Sequence, residues 1–145
     1  MNVRDKVAIV TSASAGIGLA AARLIANKGA KLALAARSHD KFQELRNSRR
    51  GLPSSFAVLT DMSDAVSVER MVAAVHGHYG RIDALINNAA RGLYGILEKV
   101  EIASYRAIWA LNVEGPLIAM QKVILLADAS TGRRAHLQHQ LHGIQ

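Results

Sequence analysis

Short apolar runs alternate with amphipathic stretches along most of this chain. Residues 7–10 are continuously apolar, which predicts a short buried strand. After a turn of small residues, apolar positions recur every three or four residues, as on one face of a helix. These positions are Ile17, Ala20, Ala21, Leu24 and Ile25. A cation and a glycine, Lys28 and Gly29, mark the end of that helix. The chain therefore begins with a strand, a tight turn and a helix.

The same alternation continues through three more predicted strands, at residues 31–37, 55–60 and 84–86. Helices separate them, and Ser38 or Asp40 caps the second helix while Ser63 caps the third. A long helical region, 102–126, is interrupted near Asn112 and Pro116. Strands that are apolar throughout and alternate with helices are typical of parallel sheets covered on both faces. We therefore predict an α/β fold, the first four strands of a Rossmann-type doubly wound parallel sheet.

Ligands of such sheets bind beyond the carboxyl ends of the strands. Small or polar residues interrupt each apolar run at that end, namely the turn at 12–18, Arg37, Asp61 and Asn88. A strand, a turn of small residues and a helix N-terminus together favour anions, because free N–H groups and the helix dipole point at one spot. An ordinary tight turn is the alternative, since Ser12 stands where the dinucleotide fingerprint has its first glycine.

The residues at the ends of the next strands indicate which dinucleotide is bound. Arg37 follows the glycine turn by about 20 residues, where dinucleotide folds contact the adenosine ribose. An acid there binds a 2′-hydroxyl, whereas an arginine suits a 2′-phosphate, so NADP is favoured over NAD. A solvent-facing arginine is the alternative. Asp61 either accepts from the adenine amino group or leads the next helix. Asn88 either faces the cofactor or ties neighbouring strands through backbone hydrogen bonds, and an ordinary Asn-Asn turn is the alternative.

Composition narrows the functional class further. The chain has 145 residues, enough for one domain, and its net charge is +7. That charge favours phosphate-bearing ligands, but only 4% of residues are aromatic, so we expect no specific nucleic-acid binding. Cysteine is absent, and no apolar run approaches the roughly 18 residues of a membrane span. These features predict a soluble, cytoplasmic protein without a membrane partner.

Four motifs in one order resemble those of the short-chain dehydrogenase/reductase family, over residues 1–124. They are Thr11-Ser12-Ala13-Ser14-Ala15-Gly16-Ile17-Gly18 (T-G-x-x-x-G-I-G in the family), Asp61-Met62 (its adenine-binding acid), Asn87-Asn88-Ala89-Ala90 (N-N-A-G) and Leu111-Asn112-Val113-x-Gly115 (the helix with its catalytic asparagine). Ser12 and Ala90 depart from the pattern but are small. The resemblance implies a cofactor-binding portion, with the cofactor held by Thr11, Ser12, Ser14, Gly16, Ile17, Gly18, Arg37, Asp61, Met62, Asn88, Ala89 and Ala90.

The family's chemistry, by resemblance, is hydride transfer between the nicotinamide and a small-molecule carbonyl or alcohol, in enzymes that form homo-oligomers. A tyrosine with a lysine four residues later, a serine and an asparagine carry it, and only the asparagine has a counterpart here, Asn112. Tyr79, Tyr94 and Tyr105 are followed four residues later by other residue types. The chain is therefore expected to be a cofactor-binding fragment without activity. A non-catalytic nucleotide-binding or dimerising remnant is the alternative.

Residues 125–145 form an aberrant basic tail rich in His and Gln, for which we predict no strand and a disordered or loosely helical state. The fourth strand is then an unpaired edge. The spacing of His136, His139 and His142 invites a metal, but no carboxylate or cysteine accompanies them, so no metal site is predicted. Codons for 127–145 can be chosen so that a one-base-shifted reading contains G-H-I-F-N-I-S-S, which is similar to the family's serine-bearing strand. We therefore expect a truncated, frameshifted family member.

Overall fold

The computed structural model describes residues 2–47, 52, 55–131 and 136–139, and it forms a parallel sheet with strand order β3-β2-β1-β4-β5. The strands are β1 Val7–Thr11, β2 Lys31–Ala36, β3 Phe56–Leu59, β4 Ala84–Asn87 and β5 His136–His139. The helices are α1 Gly16–Asn27, α2 His39–Asn47, α3 Ala65–Tyr79, α4 Ile102–Trp109 and α5 Gly115–Thr131. The α/β class and the parallel pairing of β1 to β4 confirm the predicted Rossmann-type fold.

Both faces of the sheet are covered by helices. In β1, Val7 and Ile9 belong to the core cluster that includes α3 and α5, whereas Ala8 and Val10 belong to the cluster that includes α1 and α2. Every residue of β1 is buried, because successive side chains point to opposite faces and each face has its own helical layer. The apolar strand runs in the sequence therefore have a direct structural cause.

The long helical region changes its hydrogen-bond register rather than breaking. A π-helical turn, Ala110–Glu114, joins α4 to α5, and it contains the predicted interruption at Asn112. Pro116 lies just beyond this turn, within α5. The continuous helix Ile102–Ala127 has the length and hydropathy of a membrane span, which corrects the expectation that no stretch comes close. Its Ala119 and Val123 are fully buried in the sheet's core cluster, and 28% of its most apolar stretch is buried.

The first residues of α2 and α3 show which side chains cap these two helices. Asp64 rather than Ser63 caps α3, since its carboxylate accepts from the Val66 N–H at 3.0 Å. The prediction for Ser63 was wrong because this side chain donates to Asp61 instead, at 2.6 Å. At the start of α2 the Ser38 Oγ accepts from the Lys41 N–H at 3.4 Å, so Ser38 is the cap of the two candidates.

Asp83 joins two segments at the amino edge of the sheet, opposite the predicted ligand edge: the start of β1 and the residues just before β4. Its carboxylate accepts from the Val7 N–H at 2.9 Å and from Arg81 Nε at 2.8 Å, and Lys6 Nζ lies 3.7 Å away. Burial opposes ionisation, but the Arg81 and Val7 hydrogen bonds and the two cationic charges outweigh it and lower the pKa of the Asp83 carboxyl. Asp83 therefore stabilises the folded chain in its ionised form.

The tail differs from its prediction. Residues 136–139 form β5, which pairs in parallel with β4 from Ala84 opposite His136 to Asn87 opposite His139. The expectations of a tail without a strand and of an unpaired β4 were both wrong. A strand edge offers N–H and C=O groups that any extended backbone satisfies, whatever its side chains, so an apolar pattern was not required. The helix α5 also continues past residue 125, to Thr131. His142 lies outside the described residues.

Candidate functional site

The strand order places β1 beside β4, and α1, which follows β1, belongs to one core cluster while α5, further along the chain from β4, belongs to the other. Thr11, the last residue of β1, is fully buried, and its hydroxyl accepts from the N–H of Asn88 at 2.9 Å and of Ala89 at 3.0 Å. The Asn88 amide in turn donates to the Thr11 carbonyl at 3.1 Å. Asn88 therefore ties the ends of β1 and β4 together, and Thr11 fixes the start of the loop after β4.

The turn after β1 has an unusual backbone at the position where the family pattern has glycine. Ser12 has φ +53°, in the left-handed region that favours glycine, and Gly16 has φ +56°. A Cβ on Gly18 would lie 2.5 Å from the Asn88 amide nitrogen and 2.5 Å from the Ser12 carbonyl oxygen. Gly18 thus lets α1 approach the ends of β1 and β4 closely. Ala15, Gly16 and Ile17 are exposed, so another group can approach the backbone of this turn.

The N-terminus of α1 is free of side-chain capping. Its N-cap residue, Ala15, makes no side-chain hydrogen bond, and the Ala15 carbonyl accepts the first hydrogen bond of the helix from the Leu19 N–H at 3.2 Å. The N–H groups of a first helical turn have no carbonyl partner within the helix, and among the residues that the structure describes no side chain accepts from those of α1, so they are available to an external acceptor. In α3, by contrast, Asp64 satisfies one of them. The open α1 terminus supports the prediction of an anion site.

Arg37 and Asp61 end the next two strands along the sheet, after β2 and β3. The Asp61 carboxylate accepts from the hydroxyl and the N–H of Ser63, at 2.6 and 2.9 Å. These hydrogen bonds and, less strongly, the charge of Arg37 lower the pKa of Asp61 against the opposing effect of burial. The two side chains therefore share one electrostatic environment, with an ionised acid after β3 and an exposed cation after β2. Met62, directly after Asp61, is buried in the core.

Asn112 connects the π-helical turn to the loop that follows β4. Its amide nitrogen donates to the Arg91 carbonyl at 3.0 Å, and its amide oxygen accepts from the Arg91 N–H at 3.1 Å. Ala89 is partly buried and Ala90 is exposed in the same loop. The carboxyl edge of the sheet, which we define as the turn 12–18, Arg37, Asp61 and Asn88, therefore has Asn112 at its border.

The three tyrosines lie away from this edge or face solvent. The Tyr79 hydroxyl donates to the Leu32 carbonyl at 3.0 Å, and burial raises its pKa. Tyr94 lies in the loop after β4 and Tyr105 on α4, and both are largely exposed. In the described part of the chain, none of these hydroxyls hydrogen-bonds to Asn112. The structure thus brings Thr11, Gly18 and Asn88 into contact and places Arg37 near Asp61, and in the described part of the chain no tyrosine joins them.

Strand order, helical layers and carboxyl edge define a Rossmann-type α/β protein. The family model for short chain dehydrogenase matches residues 6–133, and the chain belongs to the short-chain dehydrogenase/reductase family. A galactitol 2-dehydrogenase of Agrobacterium fabrum is 31% identical over 142 residues, which are 97% of this chain and 55% of the relative. A sorbitol dehydrogenase of Cereibacter sphaeroides is 35% identical over 126 residues, 85% and 47% of the two chains.

Solved structures agree with the family assignment. An L-sorbose reductase from Gluconobacter frateurii, complexed with NADPH and L-sorbose, has a TM-score of 0.81 and 28% identity, over 89% of this chain and 51% of that chain. The chain spans about half the length of the curated relatives that it matches.

Proposed function

We propose that this chain is the cofactor-binding portion of an NADP-dependent oxidoreductase, one that transfers hydride between a nicotinamide and a small-molecule carbonyl or alcohol. The observation that carries the proposal is the convergence at the carboxyl edge of the sheet. Four features lie there, just beyond the ends of neighbouring strands. They are the turn of small residues and the uncapped α1 terminus after β1, the exposed Arg37 after β2 and the ionised Asp61 after β3. Such an edge suits a ligand with a central pyrophosphate and an adenosine at one end.

The residues of the turn fit a dinucleotide pyrophosphate. Gly16 carries no side chain to keep a phosphate from the backbone, and Gly18 lets α1 lie close to the strand ends, so that the N–H groups of its first turn face the same space. Ile17 is 57% exposed beside them and offers an apolar surface that a bound dinucleotide covers. Thr11 and Asn88 hold the two strand ends in place below the ligand. In this proposal, therefore, their role is to hold the geometry.

Arg37 determines the choice of NADP. It directly follows β2, whose residues 31–36 and next neighbour Ser38 include no acid that would hold a ribose 2′-hydroxyl. A guanidinium instead pairs with a 2′-phosphate through charge-assisted hydrogen bonds. The NADPH in the complexed L-sorbose reductase supports this choice. Asp61 then accepts from the adenine amino group, and Met62, whose side chain is buried in the core, contributes its backbone beside it.

A nicotinamide bound here would exchange a hydride with the substrate, and this chain's residues supply only part of what must accompany that transfer. Asn112 can order a water at the border of the site, but no Tyr-x-x-x-Lys pair stands in the sequence to protonate the product oxygen. A positioned acid contributes about 10²–10⁴-fold to such steps, and a donor that stabilises the oxygen about 10²–10³-fold. We therefore propose that the chain binds its cofactor without turning over substrate at an enzymatic rate.

Two further properties belong to this proposal. Tyr105, Trp109 and Leu117 are each about half exposed along α4 and α5, and such a stripe suits helix packing between subunits of a homo-oligomer. The absence of cysteine and the burial of one face of α5 suit a soluble protein in a reducing cytoplasm. The substrate class follows from relatives named for galactitol and L-sorbose, which supports a polyol or a sugar ketone.

The test is the affinity of the purified chain for NADPH and NADH, by calorimetry, with two variants. Arg37→Asp should weaken NADPH binding about ten- to a hundredfold, since charged hydrogen bonds contribute about 1.5–3 kcal/mol, and should favour NADH. Arg70→Asp, the same charge change on an exposed position of α3, should leave the preference for NADPH intact. Equal affinities for the two cofactors before and after the Arg37 change would refute the assignment of NADP.

A further inference from the structure

Gly115 joins the π-helical turn to α5 and is buried. Its φ of −58° and ψ of −50° are ordinary helical values, so the backbone conformation does not require a glycine there. A glycine inside a helix lowers the folding equilibrium constant roughly two- to fivefold relative to alanine, so the presence of glycine at position 115 needs another reason. A Cβ built on Gly115 would lie 3.0 Å from the Met62 carbonyl carbon and closer still to its oxygen. The glycine therefore serves a close approach to the Met62 backbone.

The same short segment also holds the loop after β4. The Gly115 N–H donates to the Ala110 carbonyl, which closes the π-helical turn. Within that turn, Asn112 makes its two hydrogen bonds to the backbone of Arg91. Residues 110–115 thus contact the chain just after β3, at Met62, and the chain after β4, at Arg91. These are two separate parts of the carboxyl edge, and residues 110–115 contact both of them, so this segment sets the distance between them.

We infer that Gly115 is a positioning residue of the cofactor site. By letting the π-helical turn lie against the Met62 backbone, it fixes the position of Asp61 and Met62 relative to the loop around Arg91. This inference rests on the proposed function. With a Cβ at position 115, the turn and the Met62 backbone must move apart by on the order of 1 Å to remove the overlap. Hydrogen bonds of 3.0 and 3.1 Å weaken steeply over such a displacement, so Asn112 then loses its hold on Arg91.

Backbone hydrogen exchange of three variants tests this directly. Two amides report on the two sides: the Arg91 N–H, held by Asn112, and the Ser63 N–H, held by Asp61 at 2.9 Å. Gly115→Ala should speed exchange at both amides at least tenfold relative to the core amide of Ile9. Asn112→Ala should speed exchange at Arg91 alone, because Gly115 still contacts Met62. Gly77→Ala is the matched control, since a Cβ at this helical glycine meets nothing within 4 Å, and it should change neither amide.

Cofactor affinity separates positioning from simple packing. Gly115→Ala should raise the dissociation constant for NADPH at least tenfold, with Gly77→Ala at the wild-type value. Three results for Gly115→Ala would each overturn the positioning role. They are faster exchange with unchanged NADPH affinity, unchanged exchange at Ser63, and loss of the native circular dichroism spectrum. A wild-type chain that binds no NADPH would instead refute the proposed function, and the exchange rates would still show whether residues 110–115 hold both loops.

Discussion

Replacing Ser12 with glycine should stabilise this chain. Ser12 has φ +53°, a left-handed conformation that is unfavourable for any residue with a Cβ. It stands at the turn position where the family pattern has glycine, so the fold demands the conformation and the sequence lacks the residue that adopts it freely. The Ser12 side chain is exposed, and in the described part of the chain no hydrogen bond to its hydroxyl is lost on substitution.

The size of the effect follows from two opposing contributions. Relief of the left-handed conformation stabilises the folded state by about 1–2 kcal/mol. The greater freedom of glycine in the unfolded chain offsets about 0.4–1 kcal/mol of this. At the midpoints of these ranges the net free energy of unfolding rises by about 0.8 kcal/mol, which for a chain of this length raises the melting temperature by roughly 2–3 °C.

Urea unfolding followed by circular dichroism measures this difference, with Ser12→Ala as the matched control. Alanine removes the hydroxyl but keeps the Cβ, so it should stay within about 0.5 kcal/mol of the wild type. If Ser12→Gly is no more stable than Ser12→Ala, the left-handed conformation is not the feature that makes this position costly, and the account of the turn is refuted.

Three other outcomes are expected. Thr11→Val should lower the free energy of unfolding by about 2–4 kcal/mol, because two loop N–H groups lose their acceptor, whereas Thr11→Ser should retain most of the stability. Asp83→Asn should cost about 1–2 kcal/mol at pH 7. Because folding lowers the pKa of Asp83, that stability is present above about pH 4 and is lost as the pH falls further, so urea unfolding at pH 3 should show a smaller difference. Gene sequencing should show a one-base-shifted frame over residues 127–145 that encodes G-H-I-F-N-I-S-S and continues; a shifted frame encoding anything else would contradict the frameshift.

The sequence predicted those parts of the fold that depend on local patterns. Strands buried on both faces must be apolar throughout, so β1 and β2 are visible as continuous runs. The cap of α3 was harder to predict, because Ser63 and Asp64 are adjacent and both are residue types that cap helices well. Ser63 donates its hydroxyl to Asp61 instead, which leaves Asp64 as the cap. The strand β5 was missed because its pairing uses the backbone edge of β4, which no side-chain pattern records.

The candidate site was predicted through its strand ends, but the contacts that hold it were not. Thr11 is the last residue of an apolar strand, and its partner Asn88 lies 77 residues away in the sequence. Gly115 resembles any helical glycine until the fold brings the Met62 carbonyl against it. Such residues act across long sequence separations, and only the packed structure shows which groups they meet.

The central claim is that a dinucleotide binds at the carboxyl edge of this sheet, and an NMR titration of the isotope-labelled chain with NADPH tests it most directly. We predict that the amides of residues 12–18, Arg37, Asp61 and Asn88 shift together in a saturable manner, while those around Asp83 at the amino edge do not. Shifts centred on the amino edge, or no saturable shifts at all, would contradict the account.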